Sequence, residues 1–439
     1  MTTTPPAAPV PQADDARPIH LSELLKRPIT DSGGDSLGRL SDVVVRLRGS
    51  ELPLVIGGVA SVGGREVFVP LGQLSSWDGE KLQLTSAKLD LRHFERRPGE
   101  VMLRADVLGH RLIDVETAHL IKAADLELEE RNGEWVLTGV DTHRRRGGLG
   151  ALFGRGTAEP GPQSFREWSA FEPLIGHTGS ATLRGPVARI RGLKPAQIAD
   201  LIEEASKEEE TEILGQVHAD PELEADVFEE LDEDQATRLL GARTDAEIAD
   251  VLSRMRADDA ADAVAELPQR RRQPVLDLLP PGQRTKVLTL MGFNPTSAGG
   301  LMGVDYLALA PAALVSEALV AVGQSETLQP EALTTVHAVD ENGVLRGVAT
   351  IVSLLQADPQ AALSDVCDTD PVRVGADTDV VDVAVLMSDY NLITIPVVDE
   401  QRHMIGIITV DDVLETTLPD DWRRREVAQP PDAHVGDSP

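Results

Sequence analysis

Two groups of acids have a spacing that could do chemistry. Asp258 and Asp262 stand four residues apart, which on a helix puts both carboxylates on one face, about 6 Å from each other. Asp411, Asp412 and Glu415 form a second group, where a strand-like run gives way to a helical one. Like charges this close repel by roughly 0.2–0.5 kcal/mol unless a cation or a basic partner relieves them. Spacing alone leaves two readings open for each group. The first pair fits a solvated acidic helix face as well as a cation site. The second fits helix capping and the positive end of a helix dipole. Catalytic patterns are missing: the sequence holds no GxxxxGK[ST], no HExxH, no GxSxG and no cysteine cluster. None of the ten histidines lies three or four residues from another, so no helical metal pair is formed. The single thiol, Cys367, reads as an ordinary core residue. No enzyme is expected, and no catalytic residue is assigned.

The composition bounds what these acids can serve. Acids outnumber bases 73 to 41 over 439 residues, a net charge of −32, and such a surface repels phosphate backbones and anionic lipid. No nucleic-acid partner is expected. The charge is lopsided: residues 1–190 carry 25 acids and 23 bases, leaving almost the whole excess on residues 191–439. Two halves with such different surfaces are expected to do different jobs. No run of 18 apolar residues occurs, since the best candidate, Tyr306–Gly323, is broken by Pro311, Ser316 and Glu317. The start, Met1–Ala16, lacks a secretory pattern. A soluble, cytoplasmic protein with no membrane span is expected.

The elements that must position the acids follow from periodicity. Ser41–Leu47, Leu54–Val59 and Glu66–Val69 are short β-type runs punctuated by glycine pairs, which predicts a small barrel or sandwich. A shift of 83 residues lays Leu25 on Leu108, Asp31 on Asp114, Leu37 on Leu120, Asp42 on Asp125 and Val45 on Leu128, so two related β units over 18–98 and 99–143 are a candidate duplication. The Gly- and Arg-rich stretch Arg144–Gln163 predicts a flexible linker. From Leu193 to Met291 apolar pairs recur about every twelve residues, from Leu201/Ile202 to Val287/Leu288. Helix starters stand between them, among them Asp220-Pro221, Thr244-Asp245, Asp258 and Pro280-Pro281. Two-turn helices of this kind bury their stripes only by stacking, which predicts a superhelix. Beyond it, Val380–Tyr390 reads as helix, Ile393–Val398 and Ile405–Val410 as strands, with a weaker copy at Val315–Ile351.

Lys194–Ala205 (KPAQIADLIEEA), Arg256–Leu267 (RADDAADAVAEL) and Asn294–Met302 (NPTSAGGLM) together resemble the cytosolic part of MgtE-type magnesium transporters. Tyr390–Glu415 (YNLITIPVVDEQRHMIGIITVDDVLE) is similar to a cystathionine-β-synthase (CBS) domain. Leu24–Leu47 and Phe68–Leu84 resemble a PRC-barrel. The fold expected is multidomain: a disordered tail over 1–17, a PRC-barrel-like β domain over 18–143, a linker over 144–192, a helical superhelix over 193–291, a C-terminal α+β CBS pair over 292–418 and a disordered tail over 419–439. The resemblance implies that Asp258 and Asp262 of the superhelix face Asp411, Asp412 and Glu415 of the CBS pair and share Mg²⁺ with them. Hard carboxylates in an open cleft suit that ion, which keeps several of its waters. Transporters of this type continue into a membrane domain, and this sequence ends at Pro439, so a sensor without a pore is expected. The family commonly has an acid where this chain has Asn391. Gly406–Asp412 (GIITVDD) also matches the pattern of nucleotide-binding CBS domains, which assigns Gly406 to close backbone approach, Thr409 to phosphate and Asp412 to ribose hydroxyls of an adenine nucleotide. The first copy has Ser353 in place of the aspartate. A homodimer through the CBS pair is implied. The rival reading is an adaptor whose barrel docks an unknown protein partner.

Overall fold

The computed structural model describes residues 17–49, 51–77, 82–85, 90, 92–97, 99–142, 165–174, 189–325 and 330–417. The tails expected over 1–17 and 419–439 and most of the linker fall outside the described residues, Arg17 apart. The chain divides into two compact units, 1–231 and 232–439.

The first unit opens with β1 (Ile19–His20), α1 (Leu21–Leu24), β2 (Pro28–Thr30), β3 (Ser36–Arg48), β4 (Glu51–Val62), β5 (Arg65–Pro70), β6 (Leu74–Trp77) and β7 (Leu82–Leu84). Next come β8 (Glu100–Met102), a helical turn at Leu103–Val107, β9 (Arg111–Asp114), β10 (His119–Lys122), β11 (Asp125–Arg131) and β12 (Glu134–Asp141). β13 (Phe165–Glu167) and β14 (Phe171–Pro173) complete it. One sheet runs β1-β11-β12-β4-β3-β2-β7-β6 with β5, β8 and β13 attached, and a second runs β10-β9-β14. The expected small barrel is thus present as a half-barrel. Its core is aliphatic, with Val43, Val59, Leu103, Leu126 and Leu137 fully buried.

The shift of 83 residues reappears in the hydrogen bonding. β2 pairs with β3 at Pro28–Arg39, and β9 pairs with β10 at Arg111–Lys122. The Lys26 amide donates to the Leu40 carbonyl and the Gly109 amide to the Ala123 carbonyl, at 2.9 and 2.7 Å. The matching aspartates cap each other's copy. Asp42 accepts from the Arg104 and Ala105 amides at the helical turn of the second copy, at 2.7 and 3.0 Å. Asp125 accepts from the Ser22 amide in α1 of the first, at 3.1 Å. The two copies are interlocked. The linker drawn over 144–192 needs correction in its middle: β13 pairs with β12, and β14 with β9. Trp168 and Phe171 are 4% and 0% exposed, and burying two such rings outweighs the loss of chain freedom in so short a strap. Arg166 fixes it by a fork onto Asp114 while its guanidinium lies 4.9 Å from the Phe171 ring.

Helices then follow at nearly constant spacing. In the first unit these are α2 (Pro195–Glu204), α3 (Lys207–Val217) and α4 (Pro221–Glu229). The second unit begins with α5 (Glu233–Gly241), α6 (Asp245–Leu252), α7 (Ala257–Glu266), α8 (Gln269–Leu278) and α9 (Pro281–Leu290). Within each unit helices pack against the next but one, α2 on α4, α6 on α8 and α7 on α9, as serial stacking of two-turn helices requires. Side-chain caps start several of them. Thr244 accepts from the Glu247 amide while the Glu247 carboxylate accepts from the Thr244 amide, at 3.3 and 2.8 Å. Asp258, read as a helix starter, lies inside α7, whose N-cap is Arg256.

The rest of the second unit holds α10 (Ala298–Leu301), β15 (Ala308–Leu309), α11 (Val315–Gln324), β16 (Thr335–Val339), β17 (Leu345–Thr350), α12 (Ile351–Gln356) and α13 (Leu363–Val366). β18 (Val374–Gly375), α14 (Val380–Tyr390), β19 (Thr394–Val398), β20 (Met404–Thr409) and α15 (Val410–Thr417) follow. Two three-stranded sheets result, each with one parallel and one antiparallel pairing. Their antiparallel registers coincide at a shift of 59 residues, Thr335 opposite Thr350 and Thr394 opposite Thr409, with a bulge at the same step. The Thr335 and Thr394 hydroxyls meet at 2.8 Å where the copies join. This is the internal symmetry of a CBS pair.

Candidate functional site

β20 delivers the chain into α15 at Thr409, and the turn is closed from both sides. The Thr409 amide and hydroxyl donate to Asp412 Oδ2 at 3.2 and 2.5 Å. Asp412 is 8% exposed and Thr409 4%. The hydroxyl assigned to phosphate and the carboxylate assigned to ribose therefore satisfy one another as the start of a helix. In the first copy the corresponding hydroxyl, Thr350 Oγ1, donates to Ser353 Oγ at 3.2 Å and accepts from the Ser353 amide at 3.1 Å. Gly406 also has a protein neighbour: a Cβ there would lie 2.8 Å from both the Gly303 carbonyl and the Met302 sulfur. It admits the segment before β15, where the Gly303 amide donates to the Ile407 carbonyl at 2.9 Å.

The second oxygen of Asp412 points at α7. Arg256 Nη1 donates to Asp412 Oδ1 at 2.8 Å, and Arg256 Nε donates to Asp259 Oδ2 at 2.7 Å. Asp258 and Asp412 line one cavity of about 180 Å³ with Arg254, Arg256, Gln283, Asp305 and Thr409. Burial raises the Asp258 carboxyl above the usual carboxylate range, Arg256 opposes that rise, and the charge of Asp412 adds to it. Two further ties cross the same boundary or brace it. Lys286 of α9 forms an ion pair with Asp305 at 2.6 Å. Gln283 donates to the Met255 carbonyl at 2.9 Å.

The five acids read from the sequence thus divide. Asp258 and Asp412 share the cavity, with a guanidinium between the chains that carry them. Asp262 lies at the exposed side of α7, where partial burial and the charges of Asp258, Glu233 and Glu266 push its carboxyl up to about 6. Asp411 and Glu415 are exposed on α15. No group of three or more His, Cys, Asp or Glu side chains converges on a metal position among the described residues. Arg256 escaped the sequence reading. The sequence reading put the helix start at Asp258, two residues on, and the partner Asp412 lies 156 residues away.

Comparison with known proteins places these elements. Residues 193–296 match the MgtE intracellular N domain and residues 363–418 a CBS domain. The chain is 37% identical over 163 residues to the magnesium transporter MgtE of Thermus thermophilus. This part of the chain is homologous to the cytosolic part of MgtE. The match to the Thermus thermophilus protein covers 36% of each chain. The MgtE of Bacillus subtilis is 25% identical over 167 residues, covering 38% of this chain and 37% of that one. The chain therefore spans little more than a third of the length of these curated relatives. Among solved structures, the cytosolic domain of the Mg²⁺ channel MgtE in complex with ATP is 30% identical, with a TM-score of 0.48, 54% of this chain and 97% of that chain covered. The soluble part of a magnesium transporter is 22% identical, with a TM-score of 0.48, 52% of this chain and 89% of that chain covered. No helix among the described residues is long and apolar enough to cross a membrane.

Proposed function

We propose that this chain is a non-catalytic, cytoplasmic regulatory protein whose acidic helices and CBS pair respond to Mg²⁺. The observation that carries this reading is the 37% identity over 163 residues to a magnesium transporter. Asp258, Asp262, Asp411, Asp412 and Glu415 are the proposed responsive surface. They do not form a closed coordination cage in this arrangement, since no three acids converge among the described residues. The response is therefore that of a crowded acidic surface to a weakly held, hydrated ion. Thermal unfolding in MgCl₂ and in NaCl of equal ionic strength tests it. At ten times its dissociation constant, a ligand specific to the folded state adds about 1.4 kcal/mol, a rise of several degrees. Equal shifts in the two salts overturn the reading. Asp258→Asn combined with Asp262→Asn should remove the Mg²⁺-specific part.

An adenine nucleotide at Gly406, Thr409 and Asp412 is a second reading, favoured by the cavity that Thr409 and Asp412 line. At about 180 Å³ it is smaller than the roughly 300 Å³ at which ligand pockets begin, so a nucleotide has to widen it. ATP, ADP and AMP belong in the same unfolding series, and no shift with any of them removes this reading. We propose a second copy of this chain as the partner of the CBS helices. Val320 of α11, Val352 and Leu355 of α12, Val381 of α14 and Leu414 of α15 are 46–68% exposed, on corresponding helices of both copies. The adaptor reading, in which the β half-barrel docks a protein partner, gains if Mg²⁺ has no specific effect.

A further inference from the structure

The carboxylates around the 180 Å³ cavity ask for a positive charge, and the chain supplies one. Arg256 reaches Asp412, 156 residues away, at 2.8 Å and holds Asp259 on its own helix at 2.7 Å. Both ends of the longer contact are withdrawn from water, the Arg256 and Asp412 side chains being 23% and 9% exposed. Asp412 is also held within its own turn, because Thr409 donates twice to its other oxygen. Helix formation does not call for Arg256. A cation at this end of α7 opposes the helix dipole, and a Ser, Thr or Asp would cap better. The arginine is explained by what it touches across the cavity. The ion pair between Lys286 and Asp305, 38% and 52% exposed, is open to solvent and holds less.

We infer that Arg256 is a built-in cation latch: its guanidinium joins α7 to the start of α15 by bridging Asp259 and Asp412, so that the helices α5–α9 and the CBS pair stay docked without a metal ion. A planar guanidinium makes two directed bonds that a hydrated ion or an ammonium group does not reproduce. The inference deepens the cation-responsive reading above and rests on it only for the identity of the ion that would compete. It makes docking in this chain a property of the polypeptide, with divalent cation adding to a contact already formed.

Hydrogen exchange on the full chain tests the latch, followed in peptides covering 254–264 and 303–309, in EDTA, in millimolar MgCl₂ and in NaCl of matched ionic strength. The wild type should be protected in EDTA and in NaCl, and at least as well in MgCl₂. Arg256→Gln should exchange about tenfold faster in EDTA, a change of about 1.4 kcal/mol in the docking equilibrium, and should recover protection in MgCl₂ but not in NaCl. Arg256→Lys, which keeps the charge but not the fork, should fall between them; it carries the test if Arg256→Gln loses helicity by circular dichroism. Protection of Arg256→Gln equal to that of the wild type in EDTA overturns the latch, as does a wild type that opens in EDTA. If Arg256→Gln opens and MgCl₂ fails to close it, the latch stands and the Mg²⁺ reading falls.

Discussion

Gly406 and Gly347 show how one residue's role depends on what lies over it. A Cβ at Gly406 would meet the Gly303 carbonyl at 2.8 Å, and one at Gly347 would meet the Asp368 carbonyl at 2.8 Å. Both glycines admit a neighbouring segment onto the sheet, the one before β15 at Gly406 and the one after α13 at Gly347. Gly406→Ala should cost about 1–3 kcal/mol in urea unfolding, whereas Gly375→Ala, with Thr378 Oγ1 at 3.9 Å, should cost far less. His337 carries a different prediction. It is 0% exposed on β16, its Nδ1–H donating to the Leu307 carbonyl at 3.2 Å, and its Nε2 has no hydrogen-bond partner. Burial lowers its pKa from 6.5 to about 4. The unfolded chain therefore binds a proton between those values that the folded chain refuses. This contribution is complete above pH 6.5 and is lost as pH falls toward 4, on the order of 3 kcal/mol in all. Urea unfolding from pH 7 to 4 should show that loss, and His337→Gln should flatten it; an unchanged pH dependence in the variant would falsify the assignment.

At the scale of elements, the interlocked copies of the half-barrel provide their own control. Two residues past α1 stands Lys26, with φ 71°, and its counterpart two residues past the turn at Leu103–Val107 is Gly109, with φ 82°. A left-handed backbone strains any residue with a Cβ by roughly 1 kcal/mol. Gly109→Ala should therefore destabilise the first unit by about 1 kcal/mol. Lys26→Gly should be neutral or slightly stabilising, since relief of strain is set against the entropy that glycine loses on folding. Chemical unfolding of the two variants side by side checks both signs. The short helices obey equally local rules. Eight of them start at 195, 207, 221, 233, 245, 257, 269 and 281, and the residues before them include the caps Ser206, Asp220 and Thr244.

For the whole molecule the open question is assembly. Large apolar side chains left exposed on α11, α12, α14 and α15 include Val320, Val352, Leu355, Val381, Val385, Tyr390 and Leu414. Clusters of this kind mark association sites more often than accident does. Sedimentation of the full chain at tens of micromolar should report a dimer, and Val352→Asp with Leu355→Asp should shift it to monomer without loss of helicity. A monomeric wild type overturns the CBS-mediated dimer and leaves those faces for another partner.

What the sequence determined by itself is the part governed by neighbours along the chain. The short helices were legible because an apolar pair recurs about every twelve residues and Ser, Thr, Asp or Pro stands at most of their starts, and the duplication was legible at Asp31 and Asp114 because each accepts from amides two to four residues further on. The αβ copy ending at Thr409–Asp412 was legible for the same reason. Tertiary structure decided the rest. Phe165, Trp168 and Phe171 mark the strap Phe165–Pro173 as a segment that packs, but its strand pairing with β9 and β12 leaves no mark in its own residues. Asp258 proved to be the second residue of α7, and the N-cap residue, Arg256, takes a partner elsewhere in the fold. That partner is Asp412, 156 residues on. An ion pair across such a separation has no sequence period, so the acids could be read as a cation site while the cation that already stands beside them could not.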